Sequence, residues 1–222
     1  MAQSTTYMWP VSDAEAVCLE QDIVGSGALT LNGKLATSFS SQVSFIKSGF
    51  SRNISITSNS FTLDHATFTV TGTQNGALVT EDITGPNIIH STVHSTNIFD
   101  SIASIAVDQS VSEVKVGTGN KGFLPLISVG ASVSSVRSSG VSYALSVIPS
   151  GSDITYTVWS TLEQIENNTI PLSDQTSRFF AVLANETGKR LIQSTAMVNY
   201  LLINITGTAS SSTDFLGAIY LQ

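Results

Sequence analysis

Hydrophobic and polar residues alternate with a period of two along most of this chain, which is typical of half-buried β-strands. The clearest example is residues 66–86, where Phe68 and Val70 alternate with threonines. Asn75-Gly76 follows, a pair that tolerates the positive φ angles of a tight hairpin turn. A second run, residues 78–84, ends at Gly85-Pro86, and proline cannot donate to a strand ladder. The pattern predicts a β-hairpin.

Other segments carry the same alternation. It predicts short strands at residues 28–31, 40–46, 53–57, 88–94, 102–107 and 111–116, and again at 128–136, 142–148, 154–160, 178–183, 197–206 and 215–221. The strands at 102–107 and 111–116 are predicted to pair about Asp108-Gln109-Ser110, and another hairpin is predicted at residues 149–152. In the first half of the chain one helix signal, a capping box at residues 12–15, predicts a helical turn or two at 14–19. The sequence therefore predicts an all-β fold of two β-sandwich, jelly-roll-like modules.

A change of composition at residues 117–125 marks the predicted domain boundary. The expected organisation is a short N-terminal arm (1–12), a first β-sandwich module (13–120) and a second one (121–222). Gly117, Gly119 and Gly122 match the dinucleotide-binding fingerprint as letters, but no helix pattern follows to bring its N-terminus to a pyrophosphate. The glycines are therefore interpreted as a linker.

Charge argues against nucleic acid as a partner. Only 11% of the residues are charged, the net charge is −7, and Lys189-Arg190 is the one adjacent basic pair. Phosphate binding requires clustered lysine and arginine. The N-terminus lacks the pattern of a secretory signal, and no apolar run approaches the ~20 residues that span a bilayer. We expect a protein that is soluble or assembles, with no membrane partner.

The candidates for chemistry are few. Cys18, the single cysteine, is predicted to be a small buried hydrophobic residue. His90 and His94 on one strand would lie about 13 Å apart, too far to share one zinc ion, and His65 stands alone. Glu81 and Asp82 are adjacent on a strand, so they point to opposite faces and cannot act as an acid–base pair. We assign no catalytic residue, no cofactor and no metal.

The hairpin also carries a likeness to a known family. The runs Phe68-Thr-Val-Thr-Gly-Thr and Thr80-Glu-Asp-Ile-Thr-Gly-Pro-Asn87, with Gly76 between them, resemble the core motif of small virion structural proteins of tailed bacteriophages. Residues 13–120 carry the likeness well and residues 126–222 more loosely. The resemblance implies a non-enzymatic component of a virion, made in the host cytoplasm. Its expected partners are copies of itself, a trimer being one arrangement, and major capsid or neck and tail proteins.

Three functions stay open at this point. The first is a capsid decoration or cement protein that acts through many weak protein contacts, with residues 6–10 and 215–222 as candidate contact segments. The second is a collar, neck or tail and fibre-attachment protein of the same kind of particle. The third is a carbohydrate-binding or adhesive β-sandwich, for which Trp9, Tyr156, Trp159 and Tyr200 are the available aromatics.

Overall fold

The structure is a computed structural model that describes residues 3–9, 11–36, 43–45, 50–59, 66–74, 76–124, 127–128, 143–149, 155–161, 179–188, 190–194, 200–205 and 215–221. Across these residues the regular structure is all strand, which confirms the predicted all-β, sandwich-like class. The same residues contain no helix long and apolar enough to cross a membrane.

The strands are numbered in chain order. They are β1 (Gln3–Trp9), β2 (Cys18–Ile23), β3 (Gly27–Ala28), β4 (Val43–Ser44), β5 (Ser51–Ser58), β6 (Thr67–Gln74), β7 (Ala77–Thr84), β8 (Thr92–His94), β9 (Ser101–Val107), β10 (Val111–Phe123), β11 (Ile127–Ser128), β12 (Tyr143–Pro149), β13 (Thr155–Thr161), β14 (Phe180–Thr187), β15 (Arg190–Ser194), β16 (Tyr200–Ile205) and β17 (Phe215–Leu221).

The chain divides into two compact units. Unit 2 is the continuous segment Ser12–Gly122, whereas unit 1 combines Met1–Val11 with Phe123–Gln222. The sequence predicts a boundary between residues 120 and 121, and the chain leaves unit 2 between Gly122 and Phe123. Unit 1 is therefore built from the two ends of the chain.

Unit 2 contains strands of two sheets. In one, the order is β3-β9-β6-β7, and β4 also pairs with β9; in the other, β10, β5 and β8 are neighbours, and β2 pairs with β10. Alternate residues of these strands point inward, as in β6, where Phe68, Val70 and Gly72 are buried between half-buried threonines. The inward residues of both sheets form one hydrophobic core, which includes Ile54, Phe68 and Ile105. Unit 2 is thus held by the burial of apolar side chains between two pleated layers.

The predicted hairpin is confirmed. β6 and β7 pair antiparallel from Thr67↔Thr84 to Gln74↔Ala77, and β7 ends just before Gly85-Pro86. Gly76, in the turn, has φ +76°. A two-residue connection with positive φ matches the twist of the flanking strands, which is why this turn sequence gives a hairpin.

Two predictions in the first half are wrong. Residues 14–19 form no helix: they make a turn and then enter β2, because Asp13 Oδ1 accepts the N–H of Glu15 and so satisfies the turn locally. The strands β9 and β10 do not pair with each other but lie in different sheets. Asp108 accepts the N–H of Thr67 and Ser110 accepts the N–H of Gly25, so the short connection is tied to other strands and loops at both ends.

The predicted glycine linker is also wrong, because β10 continues to Phe123 without a break. The glycines allow close approach instead. A Cβ atom on Gly117 would lie 2.0 Å from the carbonyl oxygen of Asp13, and one on Gly119 would lie 2.3 Å from the Asn53 side chain. Because the segment is a strand, it offers no helix N-terminus to a pyrophosphate.

Unit 1 also contains strands of two sheets. One has the order β1-β17-β12-β15; in the other, β14, β13 and β16 are neighbours, and β11 pairs with β16. Leu145 and Val147 of β12, Tyr156 and Val158 of β13, and Ile203 of β16 are buried. Both sheets thus present apolar side chains to an interior.

Two further predictions fail in unit 1. The predicted N-terminal arm is a strand: β1 pairs antiparallel with β17 from Gln3↔Leu221 to Trp9↔Phe215. The strands β12 and β13 do not form a hairpin, because β12 pairs with β15 and β17 whereas β13 pairs with β14 and β16. In both cases the alternation of apolar and polar residues identifies a strand, but it does not determine which sheet the strand joins. The strands predicted at 178–183, 197–206 and 215–221 are present as β14, β16 and β17.

Candidate interaction surface

The adjacent carboxylates Glu81 and Asp82 serve different faces of β7, as predicted. Glu81 stands opposite Val70, and its two oxygens accept the backbone N–H groups of Thr96 and Asn97 at 2.7 and 3.0 Å. Asp82 stands on the other face and accepts the hydroxyl of Thr69 at 2.7 Å. The two side chains therefore hold a loop and a neighbouring strand, and they do not converge on one point.

Asp100 fixes the tip of the hairpin, a role that sequence reasoning missed. Its carboxylate is buried, and it accepts the Ser51 hydroxyl at 2.6 Å and the Gly76 N–H at 3.2 Å. The backbone N–H of Asp100 donates to the carbonyl of Thr73. A lone aspartate before a strand gives no signal of this role, because its partners lie 24 and 49 residues away in sequence.

Arg52 is a buried cation in the core of unit 2. Its guanidinium donates from Nε and Nη2 to the carbonyl oxygen of Gly119, at 3.1 and 2.6 Å. Burial lowers the pKa of Arg52 to about 10, which leaves the side chain charged at neutral pH. Asn53 accepts the N–H of Lys121 beside it. Both side chains bind the backbone of β10, so they stabilise that long strand.

The two described histidines, His90 and His94, lie in different elements. His90 lies in a turn with φ +62°, and its Nδ1 is 3.1 Å from Oδ1 of Asn59, whereas His94 lies on β8. Partial burial, with a smaller contribution from Lys121, lowers the pKa of His94. His65 lies outside the described residues. Within the described part of the chain, no three histidine, cysteine or acidic side chains are placed to share a metal ion.

Cys18 is fully buried in unit 2 and free of disulfide bonds, which confirms its predicted role as a small core residue. Burial raises the pKa of its thiol to about 12. The thiolate is the reactive form of cysteine, so this side chain is inert at neutral pH.

Tyr156 of β13 is not presented as a platform for sugar rings. Tyr156 is fully buried, and its hydroxyl donates to the carbonyl of Gly188 at 3.0 Å. Burial raises the pKa of this hydroxyl to about 12. Trp159 is half-buried, and Trp9 and Tyr200 lie on β1 and β16. A carbohydrate site would require aromatic faces open to solvent, which Tyr156 does not provide.

Apolar side chains are instead exposed on outer strands of unit 1. Phe180, at the start of β14, is 69% exposed, and Leu191, on β15, is 64% exposed. Both strands lie at the ends of their sheets in the described structure. Val182 of β14 is also exposed. Single exposed apolar side chains are ordinary at a protein surface. On an outer strand, however, they lie beside unpaired backbone groups with which another chain can pair.

Comparisons with known proteins leave the family open. No family model and no curated protein matches the sequence. Among solved structures, a protein described as secreted from Parabacteroides distasonis ATCC 8503 is similar over 98% of this chain and 88% of its own, at 10% identity and a TM-score of 0.23.

Two structures of infectious bursal disease virus are also similar. The Gx strain structure matches 99% of this chain and 70% of its own at 12% identity and a TM-score of 0.26, and the virus-derived T=1 particle matches 100% and 68% at 12% and 0.24. At these TM-scores the similarity carries no argument about function.

Proposed function

We propose that this chain is a non-enzymatic structural subunit of a tailed-phage virion, and specifically a capsid decoration or cement protein. The observation that carries the proposal is the exposure of Phe180 and Leu191 on outer strands of unit 1. The motif likeness in β6 and β7 supports the same class. Each such contact is weak alone, but many copies on a symmetric lattice multiply the effect.

The use of polar side chains inside unit 2 also supports a structural role. Glu81, Asp100 and Arg52 are each engaged with backbone groups or a neighbouring hydroxyl, so their charges stabilise strands and loops. Hydrogen bonds to charged groups are stronger than those between neutral ones. A decoration subunit needs this kind of stable, preformed body, on which outer strands present the contacts.

The outer strands provide the first test. Replacing both Phe180 and Leu191 with lysine adds charge to the edge strands, which opposes contact with another protein. We expect the variant to fold with an unchanged circular dichroism spectrum and to be lost from purified particles. The measurement is the ratio of this chain to major capsid protein in those particles.

Val24→Lys is the matched control, because Val24 is 95% exposed but lies in a turn of unit 2. It should enter particles at the wild-type level. Equal incorporation of the double-lysine variant and of this control would refute the role of the outer strands.

Location in the particle is tested by counting copies. A decoration protein is present in hundreds of copies per particle, whereas a collar, neck or tail protein is present in about a dozen or fewer, because the symmetry of each structure sets the number. Quantitative mass spectrometry of purified virions gives the count directly. A chain absent from virions would refute the proposed function.

A further inference from the structure

Among the described strands, the N-terminal strand β1 lies at the edge of its sheet and has one neighbour there, β17. It pairs with β17 at seven positions, from Gln3↔Leu221 to Trp9↔Phe215, while the other side of β17 pairs with β12. If β1 left, β17 would become an open edge with the same register. The sheet therefore has a position that any copy of Gln3–Trp9 can fill.

The sequence of β1 lacks two of the features by which proteins protect an edge strand, a charged side chain and a proline. Neither β1 nor β17 contains a charged residue or a proline. In contrast β7, the outer strand of the hairpin in unit 2, carries Glu81 and Asp82, and Glu81 is on the same face as the buried Val70. Inward-pointing charges and charged edges discourage pairing with another chain. The β1–β17 edge permits such pairing.

The chain after β1 is anchored in unit 2 within a few residues. The N–H of Asp13 donates to the Thr118 hydroxyl, and the N–H of Thr118 donates back to the carbonyl of Asp13, both at 2.9 Å. The Asp13 carboxylate also binds Lys34 at 2.6 Å. Only residues 10–12 connect this anchor to β1. Short connections of this kind favour exchange of the attached element between copies.

We propose that β1 is exchanged between copies, so that β1 of one chain pairs with β17 of a second copy in the register seen within one chain. The proposal deepens the proposed function by naming the partner, a second copy, and the contact. The same seven residue pairs form in the closed and the exchanged states. The balance between the closed and the exchanged states is therefore set by protein concentration and by the short connection between β1 and Asp13. Reciprocal exchange gives a dimer, and head-to-tail exchange gives a ring or a chain.

Variants with one added cysteine test the exchange with the full-length chain alone. Thr5 and Ile219 stand opposite each other in the β1–β17 register. Residues opposite each other in an antiparallel pair have Cα atoms about 4.5–5.5 Å apart, which a disulfide can bridge. Thr5→Cys and Ile219→Cys proteins are mixed, incubated at high concentration and oxidised, and mixed disulfides are measured on a non-reducing gel. Cys18 is buried and can stay in place.

The control mixture is Thr5→Cys with Thr80→Cys, an exposed position on β7 that β17 does not contact in the register. We expect at least about tenfold more mixed disulfide from the Thr5 and Ile219 pair, because strand pairing raises the effective concentration of the two thiols to the millimolar range. Equal yields from the two mixtures would overturn the exchange.

The double variant Thr5→Cys/Ile219→Cys checks the register itself. When it is oxidised at low concentration it should form a disulfide within one chain and then no longer exchange. If it forms none, the β1–β17 pairing is wrong and the proposal fails with it. A failed exchange leaves the copy number in virions untouched, so this experiment and the test of the proposed function fail separately.

Discussion

Unit 2 and unit 1 use the same kind of strand in different ways. Unit 2 is one continuous segment, and its buried charged side chains Arg52 and Asp100 are tied to backbone groups inside the unit. Unit 1 is assembled from both chain ends, and it exposes Phe180 and Leu191 on outer strands. Unit 2 also exposes Leu78 on its outer strand β7, but that strand carries the charges of Glu81 and Asp82. Under the proposed function, unit 2 is therefore the stable body and unit 1 carries the contacts with other molecules.

The largest expected effect on the stability of unit 2 comes from its core. Phe68 is fully buried on β6, so Phe68→Ala should lower the free energy of unfolding by about 3–5 kcal/mol through lost burial and the cavity that remains. Chemical denaturation followed by circular dichroism measures the loss. Leu78→Ala is the matched control on the same hairpin, because Leu78 is 75% exposed, and it should change stability by less than about 0.5 kcal/mol. Equal losses of unfolding free energy in the two variants would mean that Phe68 is not a core residue of unit 2.

Close packing of β10 against the start of unit 2 gives the next largest effect. Gly117→Ala would place a methyl group 2.0 Å from the carbonyl oxygen of Asp13, so the backbone must move, at a cost of about 3 kcal/mol. Gly25→Ala is the same chemical change where no atom lies within 4 Å. Its φ of +78° makes it cost about 1 kcal/mol. The unfolding midpoints of the two variants measure the difference in stability. A Gly25→Ala variant less stable than Gly117→Ala would refute the close packing of Gly117 against Asp13.

A smaller effect should follow from the loop that Glu81 holds. In Glu81→Gln one of the two N–H groups, of Thr96 or Asn97, faces an amide NH2 instead of an oxygen, which should cost about 1–2 kcal/mol. Hydrogen exchange at Thr96 and Asn97 should become faster. Asp82→Asn is the control, because its amide oxygen can still accept the Thr69 hydroxyl. Unchanged exchange at Thr96 and Asn97 in Glu81→Gln would contradict the assignment.

The smallest expected effect is on the way the stability of unit 2 depends on pH. The hydrogen bond from Lys34, with smaller help from the Glu15 N–H, holds the pKa of Asp13 below its ordinary value of 3.8, against the opposing effect of partial burial. A lowered pKa means that Asp13 stabilises the folded state above 3.8 and that this contribution is lost as the pH falls through the folded-state pKa.

The comparison of wild type with Asp13→Asn measures this contribution. The difference in free energy of unfolding should shrink as the pH falls below 3.8. Lys34→Gln should show the same trend, because it removes the other partner. A difference that stays constant with pH would contradict the ion pair.

Local features of this fold were predictable from sequence, and pairings between distant segments were not. The hairpin of β6 and β7 follows from alternation and a two-residue turn, which are both contained in the segment itself. By contrast β9 and β10 alternate equally well, and nothing local distinguishes a hairpin from a connection between two sheets. The arm at residues 1–12 was mistaken because the partner of β1 is β17, at the opposite end of the chain.

The contacts of polar side chains inside unit 2 were also only partly predictable from sequence. Opposite orientation of Glu81 and Asp82 follows from strand geometry alone, and it was predicted. The partner of Arg52 is a carbonyl 67 residues away in sequence, so no motif could identify it. Gly117 was interpreted as a linker residue. In the fold, the backbone of Asp13 lies so close to it that no side chain fits, and this contact cannot be seen in the sequence.

The central claim is that this chain works by contacts between its outer strands and neighbouring molecules of a virion. A density map of the assembled particle, into which both units are fitted, tests it most directly. The account predicts the chain at many equivalent positions, with β1, β14 or β15 of each copy against a neighbouring subunit. A particle that lacks the chain, or in which these strands all face solvent, would contradict it.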